Sequence, residues 1–233
     1  MRYLKVDLDR KVKTLQKNIY FEGLGADALK TIAGYMRLHE VERGETLFLE
    51  GDPCAGLHIV QSGGVKLYRL SPQGRQYIVN VLEEGATFNE VSVFGRGANP
   101  VNAAALTNST VWVIEVKILR DLISDYPEYA QKIINNFAEN LRKLVNRVSE
   151  MAFFQVTHRL ARLISRLSEE ELNGVSNMRL TQDQIAARLG TVREVVARSL
   201  RELERNGAIR VENRRIHVVD KDVLAQITQG KWN

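Results

Sequence analysis

The 233-residue sequence predicts an α+β fold in three parts: a β-rich N-terminal domain, one long helix, and a C-terminal domain of short helices closed by a hairpin. Three observations predict it. Short alternating or β-branched segments crowd residues 41–116, an apolar seam with strict spacing runs through residues 134–151, and two short helices followed by two short strands fill residues 181–218.

Composition sets the outer limits. With 44% apolar residues, the chain is long enough for two domains that each bury a core. No stretch approaches the roughly 18 apolar residues that cross a bilayer, and the opening MRYLKVDLDRKVK alternates charge with apolar residues where a signal peptide has an apolar core. A soluble, cytoplasmic protein is expected. Cys54 is the single cysteine, which excludes an intrachain disulfide and a cysteine-ligated zinc or iron–sulfur cluster within one chain. Residues 157–233 carry 14 Lys/Arg against 10 Asp/Glu and so hold +4 of the formal charge of +5, a distribution suited to a polyanionic partner.

From Asn18 to His39, apolar residues at helical spacing predict short helices that pack on a following sheet. Between Val41 and Val116 come TLFLE, LHIVQSG, GVKLYRLS, QYIVNVLEEG and STVWVIEV, separated by the turn signals GDP, SGG, SPQGR and EEG. Many short strands at close spacing imply a sandwich or barrel. Lys117 to Tyr126 reads as a helix, and Pro127 stands where a proline starts the next one. Domain limits of 1–126, 127–155 and 156–233 follow.

Along the long helix, Ile134, Phe137, Leu141, Leu144, Val148 and Met151 are spaced 3, 4, 3, 4 and 3 residues apart, an a/d seam flanked by Lys, Arg, Glu and Asn. The seam predicts a parallel dimer; the alternative is that the stripe packs on the chain's own β domain.

After the amphipathic VTHRLARLISRL and an acidic turn at Glu169 to Gly174, the motif that carries the chemistry begins. Thr181 followed by Gln184 is a capping box that starts a helix, with Ile185, Ala186 and Leu189 as its inner side. Gly190 supplies the left-handed residue of a sharp turn, and a second helix starts near Val192. On it Val196, Leu200 and Leu203 share one face, while Arg193, Glu194, Ala197, Arg198 and Arg201 share the other. Two short strands, Ala208 to Val211 and Arg215 to Val218, joined by a turn at Glu212 to Arg214, make a basic hairpin.

This is the pattern of a winged helix-turn-helix whose second helix enters the major groove of DNA. Arginine bonds guanine O6 and N7 in bidentate fashion, and glutamate accepts from cytosine N4. Arg193 and Arg198 are assigned to guanines, Glu194 to a cytosine, and Thr181, Gln182 and Arg201 to phosphates, with Val192 and Ala197 on the same face. The competing reading, a solvated face laced with salt bridges, has to explain the capping box, glycine turn, apolar spacing and wing together.

With these motifs in place, the whole chain resembles the superfamily of the cyclic-AMP receptor protein and the fumarate–nitrate reductase regulator. The resemblance implies an N-terminal β-roll sensor, a double-stranded jelly roll of the cyclic-nucleotide-binding type. It also implies a long dimerisation helix ending in MAFFQVTHRLA and a homodimer that binds palindromic DNA. RNA polymerase is an implied partner, and a membrane is not. Arg193, Glu194 and Arg198 match the Arg-Glu-x-x-x-Arg arrangement that the cyclic-AMP branch uses on a TGTGA-type half-site. The recognition helices of such a dimer sit about 34 Å apart, and a signal acts through a hinge around Ala152 to Val156.

The implied effector pocket maps onto Phe88, Asn89, Glu90, Val91, Ser92, Val101, Asn102, Leu144 and Val145. It departs from the branch that binds cyclic AMP. The glutamate persists without its flanking glycines, and Asn99-Pro100-Val101-Asn102 stands where an Arg-Ser or Arg-Thr pair would hold the phosphate. Leu144 and Val145 replace the contacts to adenine, and Arg96 is the one nearby cation. Glu90 is read as a remnant bonded to backbone donors. An iron–sulfur cluster is excluded by the single Cys54, and a heme-based, gas-sensing version would draw its axial ligand from His39, His58, His158 or His217. DNA binding without any ligand stays open. An enzyme is not expected, since no nucleophile elbow, phosphate loop or histidine–carboxylate cluster occurs. A regulatory subunit that does not bind DNA is the remaining rival.

Overall fold

The computed structural model describes residues 1–168, Leu172, 180–213 and 215–229. The predicted acidic turn at Glu169 to Gly174, Leu172 apart, and Arg214 of the wing turn lie outside the described residues. The chain forms two compact units, residues 1–69 with 79–141 and residues 70–78 with 142–233.

The first unit is built on two antiparallel sheets, of which residues 70 and 76–78 belong to the second unit. Its elements are β1 (Arg2–Leu4), α1 (Leu8–Gln16), α2 (Ala26–Gly34), β2 (Met36–Val41), β3 (Thr46–Phe48), β4 (Leu57–Ser62), β5 (Val65–Leu70), β6 (Gln76–Leu82), β7 (Thr87–Phe88), α3 (Glu90–Gly95), β8 (Asn102–Ala105), β9 (Ser109–Ile114), α4 (Val116–Asp125) and the start of α5 (Pro127–Phe153). One sheet has the order β1-β2-β9-β4-β7 and the other β3-β8-β5-β6. Non-sequential neighbours in both sheets make the roll.

Burial explains the strand patterns. In β2, Met36 and Leu38 are buried while Arg37 between them is exposed, the alternation of a sheet with one covered face at that point. In β4 the first four residues are all buried, because both faces are covered there. Leu57 and Ile59 join the core beneath the helices, whereas Val60 joins Phe48, Leu82, Phe88 and Val111 inside the roll. Gly63, at φ 82°, closes the β4–β5 turn where a Cβ would stand 2.4 Å from Ser109 Oγ and 2.7 Å from Asn108 O, so only glycine fits.

The helix-side core gathers Tyr20, Phe21, Ile32, Trp112, Leu119 and Tyr129, with Phe21 and Tyr129 stacked at 5.8 Å. The first turns of α5 contribute Tyr129 and Ile133 to it. Phe137, read from spacing as a seam position, packs onto this same core, edge-on to Phe94 at 6.3 Å. The seam residues Ile134, Leu141, Leu144, Val148 and Met151 lie on exposed surface instead.

The second unit contains the end of α5, then α6 (Val156–Arg166), α7 (Gln182–Leu189), α8 (Arg193–Arg205), β10 (Ile209–Glu212), β11 (Arg215–Val218) and α9 (Lys221–Thr228). Its core is formed by Leu160, Ile164, Ile185, Leu189, Val196, Leu200, Leu203, Ile209, Ile216, Leu224 and Ile227. The hairpin pairs Ile209 with Val218 through Glu212 with Arg215, and its turn places Asn213 at φ 50°, a conformation asparagine tolerates.

Candidate nucleic-acid interface

The interface is assembled mainly by local rules. Thr181 Oγ1 accepts from Gln184 N at 3.2 Å, and Gln184 Oε1 accepts from Thr181 N at 2.9 Å, so α7 begins with a complete capping box. Gly190 ends it at φ 64°, and Thr191 N donates to Ala186 O at 3.0 Å, which closes the helix before Val192 opens α8. From α6, Arg159 Nη1 donates to Leu189 O at 2.8 Å and holds the turn from behind. Replacing Thr181 by alanine is expected to cost about 1 kcal/mol of stability, read as a lower thermal midpoint at unchanged fold.

The position of α8 is fixed from its inner side. Val196, Ser199, Leu200 and Leu203 are buried. The Thr157 hydroxyl donates to Glu202 Oε2 at 2.8 Å and lies 3.0 Å from the Ser199 hydroxyl, while Glu204 Oε1 accepts from Val211 N at 2.7 Å and ties the wing to the helix. The other side is free. Arg193, Glu194, Arg198 and Arg201 are exposed, and Val192 and Ala197 are half-buried between them. Arg193 stands 4.0 Å from Asp183 in an exposed pair, too weak to withhold it from a phosphate or base. Thr181 is exposed and Gln182 half-buried at the start of α7. Arg210 and Arg215 of the wing are also exposed, cations that helical periodicity does not single out because they belong to strands.

The end of α5 is latched to α6. Glu150 accepts ion pairs from Arg162 at 3.4 Å and Arg166 at 3.1 Å; the Arg162 guanidinium lies 3.7 Å over the Phe154 ring, and its Nε donates to Thr228 O at 2.8 Å. One arginine therefore braces the predicted hinge on three sides.

In the first unit, Asn89 occupies the left-handed region at φ 71°. Its Nδ2 donates to Gly56 O at 3.0 Å and to Asn99 Oδ1 at 3.1 Å; the Ser92 hydroxyl lies 3.0 Å from both Asn89 Oδ1 and Ala98 O. Asn99 Nδ2 donates to Leu49 O and Pro53 O, each at 3.2 Å. Asn89, Ser92 and Asn99 are all buried. Asn102 bridges two strands, accepting from Glu50 N at 3.1 Å and donating to Tyr68 O at 3.2 Å.

Residues 38–126 match the model of the cyclic nucleotide-binding domain, and residues 158–227 match that of the Crp-like helix-turn-helix domain. The chain is 28% identical over 211 residues to the CRP-like cAMP-activated global transcriptional regulator of Mycobacterium tuberculosis, covering 88% of this chain and 94% of that one. It is 26% identical over 196 residues to the fumarate and nitrate reduction regulatory protein of Escherichia coli, covering 82% and 78% of the two chains. A transcriptional regulator of the crp/fnr family from Eubacterium rectale shares its fold, with TM-score 0.75, 22% identity and coverage of 90% of this chain and 99% of that one. The chain belongs to the CRP/FNR superfamily of transcription regulators. It pairs a sensor domain of the cyclic nucleotide-binding type with a DNA-binding helix-turn-helix, and the regulators of this superfamily are not enzymes.

The CRP/FNR sensor domain implies a cyclic nucleotide, and the residues present do not fit one. A cyclic phosphate needs uncommitted donors and a cation. Here the carboxamides of Asn89 and Asn99 spend their hydrogens on chain carbonyls and on one another, and Pro100 has no backbone N–H. Arg96 is exposed in a left-handed conformation at the end of α3. Val91 is exposed, Phe88 belongs to the interior of the roll, and Leu144 and Val145 are exposed on α5.

Glu90 keeps the expected backbone hydrogen bond, from its own N–H, and also meets side chains. Its Oε1 lies 3.5 Å from the Tyr20 hydroxyl and 3.5 Å from Asn140 Nδ2, so side chains of the helix layer face it, and burial raises its carboxyl above the usual range.

Among the candidate histidines, His58 gives heme no ready ligand. His58 is buried, its ring stacks on Phe88 at 4.9 Å and lies 5.2 Å from Phe48, and its Nδ1 donates to Gly56 O at 3.0 Å. A macrocycle reaching Nε2 would have to open that core. Burial lowers its pKa to about 4. An imidazole NMR titration is therefore expected to show His58 neutral, as the Nδ1–H tautomer, throughout pH 5–8. Among the described residues, no group of three His, Cys, Asp or Glu is placed to hold a metal ion, and no helix is long and apolar enough to cross a membrane.

Proposed function

We propose that the protein is a cytoplasmic, homodimeric regulator that recognises a palindromic, TGTGA-like DNA site without a cyclic nucleotide. Its working parts are a sensor at 1–126, a dimerisation helix and hinge at 127–155, and a DNA-binding domain at 156–233. The observation that carries this reading is the exposed face of α8, where Arg193, Glu194, Arg198 and Arg201 stand free of the core while the opposite face is buried.

In this reading Arg193 and Arg198 contact guanines and Glu194 a cytosine. Thr181, Gln182 and Arg201 position the phosphates, with Val192 and Ala197 packed against the groove wall. Dimerisation places two such helices about 34 Å apart, and Ile134, Leu141, Leu144, Val148 and Met151 form the interface between copies. Leu144 and Val145, assigned to an effector pocket by resemblance, belong with this surface, while Phe88, Asn89, Glu90, Val91, Ser92, Val101 and Asn102 act as structure. RNA polymerase is the partner when the bound dimer activates.

Selection of bound duplexes from a random DNA pool by ligand-free protein tests the reading. A TGTGA-like palindrome enriched equally with and without cyclic AMP is the expected result. Retention of duplex only after cyclic AMP is added would show that the closed Asn89–Asn99 network has been misread. Failure to retain any duplex would favour a subunit that contacts protein alone.

A further inference from the structure

We infer that a recess against α1 is a ligand site, which takes a small phosphorylated molecule and passes its occupancy to the dimer helix. The binding stands on the geometry of the recess alone; its consequence for DNA rests on the regulatory reading above.

The recess has a volume of about 260 Å³ and lies between α1, β4 and the β6–β7 turn. Arg10, Lys13 and Lys17 fall at i, i+3 and i+7, so all three project from one side of the helix onto it. Each is exposed, and none forms an ion pair with a described residue. A face used only for solubility would not need a neutral donor held ready behind it, and here there is one.

The donor is Gln61. Its Oε1 accepts from the indole N–H of buried Trp112 at 2.7 Å and lies 3.4 Å from Thr14 Oγ1. With the oxygen claimed, the carboxamide is fixed in orientation and its NH₂ is left for another acceptor. Three cations and an oriented amide around a small recess are the donors that a phosphate requires. Glu84 is the single carboxylate on the wall, which leaves a local surplus of positive charge and an acceptor for a hydroxyl or amino group. The ligand class is therefore a phosphorylated small molecule that also carries hydroxyl or amino hydrogens.

The recess is connected to α5 by hydrogen bonds. Asn18, on its wall, donates to Thr87 Oγ1 at 2.7 Å and accepts from Tyr20 N at 3.1 Å; the Tyr20 hydroxyl donates to Asn136 Oδ1 on α5 at 2.7 Å. A ligand that draws α1 and Gln61 together acts on the segment holding Asn18 and Tyr20, and so on α5 at Asn136.

The test uses the full chain with Trp232→Phe, so that emission reports Trp112, titrated with pyrophosphate at constant ionic strength in the absence of DNA. A saturable fluorescence change with a rise in thermal midpoint is expected. Lys13→Ala with Lys17→Ala should weaken it about tenfold or more, and the equally charged control Arg75→Ala with Lys117→Ala should not. No saturable response, or a response equal in both double variants, overturns the site. If pyrophosphate binds as expected, the affinity of wild-type protein for its selected duplex should change on adding it, and that of the Lys13/Lys17 variant should not; an unchanged wild-type affinity overturns the coupling. Loss of the site leaves duplex retention intact, so the two readings fail separately.

Discussion

Leu141→Asp combined with Val148→Asp is expected to leave a monomer in sedimentation and to lower affinity for a palindromic duplex by about 10² or more. Both residues are apolar yet 60% and 58% exposed in the isolated chain, on a helix whose earlier turns bury Tyr129 and Ile133 and pack Phe137 against the core. Such a stripe marks a surface kept for a partner. Placing two carboxylates on each side of a coiled-coil seam costs several kcal/mol in desolvation and repulsion, more than a seam of this length supplies. The folded core should tolerate the change, because neither position reaches it, so circular dichroism and thermal midpoint should stay near wild type. A double variant that remains dimeric and binds DNA normally would move the interface elsewhere.

Arg198→Ala is the second. A bidentate arginine–guanine contact is worth about 1–3 kcal/mol, and a dimer makes it twice, so total loss on the preferred palindrome should reach about 2–6 kcal/mol. The loss should be confined to sequences carrying that guanine, with relaxed preference at one position. Arg201→Ala, assigned to phosphate, should weaken all duplexes alike and reduce the salt dependence of binding by about one counterion per half-site. Arg201 Nε donates to Ala197 O at 3.2 Å, which occupies one of its donors. Equal losses on every duplex for both variants would remove Arg198 from the base-reading set.

The DNA-binding half and the sensor differ in how far their residues could be read in order. In the former, the decisive interactions link residues three or four positions apart: Thr181 with Gln184, Gly190 with the end of α7, Val196 with Leu200. In the sensor, Asn89 meets Gly56 and Asn99, Gln61 meets Trp112, and Glu90 meets Tyr20 and Asn140. Separations of ten to seventy residues carry no local signature, so the resemblance offered Glu90 only as a remnant and Asn99 only as part of the segment standing where an arginine would.

By itself, the sequence determined the order of the parts, and the start, turn and polar face of the helix-turn-helix, because periodicity, capping and glycine conformation are properties of neighbouring residues. Only the tertiary structure decided that Phe137 turns inward, that His58 is a neutral core residue, that Asn99 uses up the donors a phosphate would need, and that Arg162 braces the end of α5 against α6. Each of these depends on which polar groups are taken out of water together, and that is fixed by the packing of distant segments.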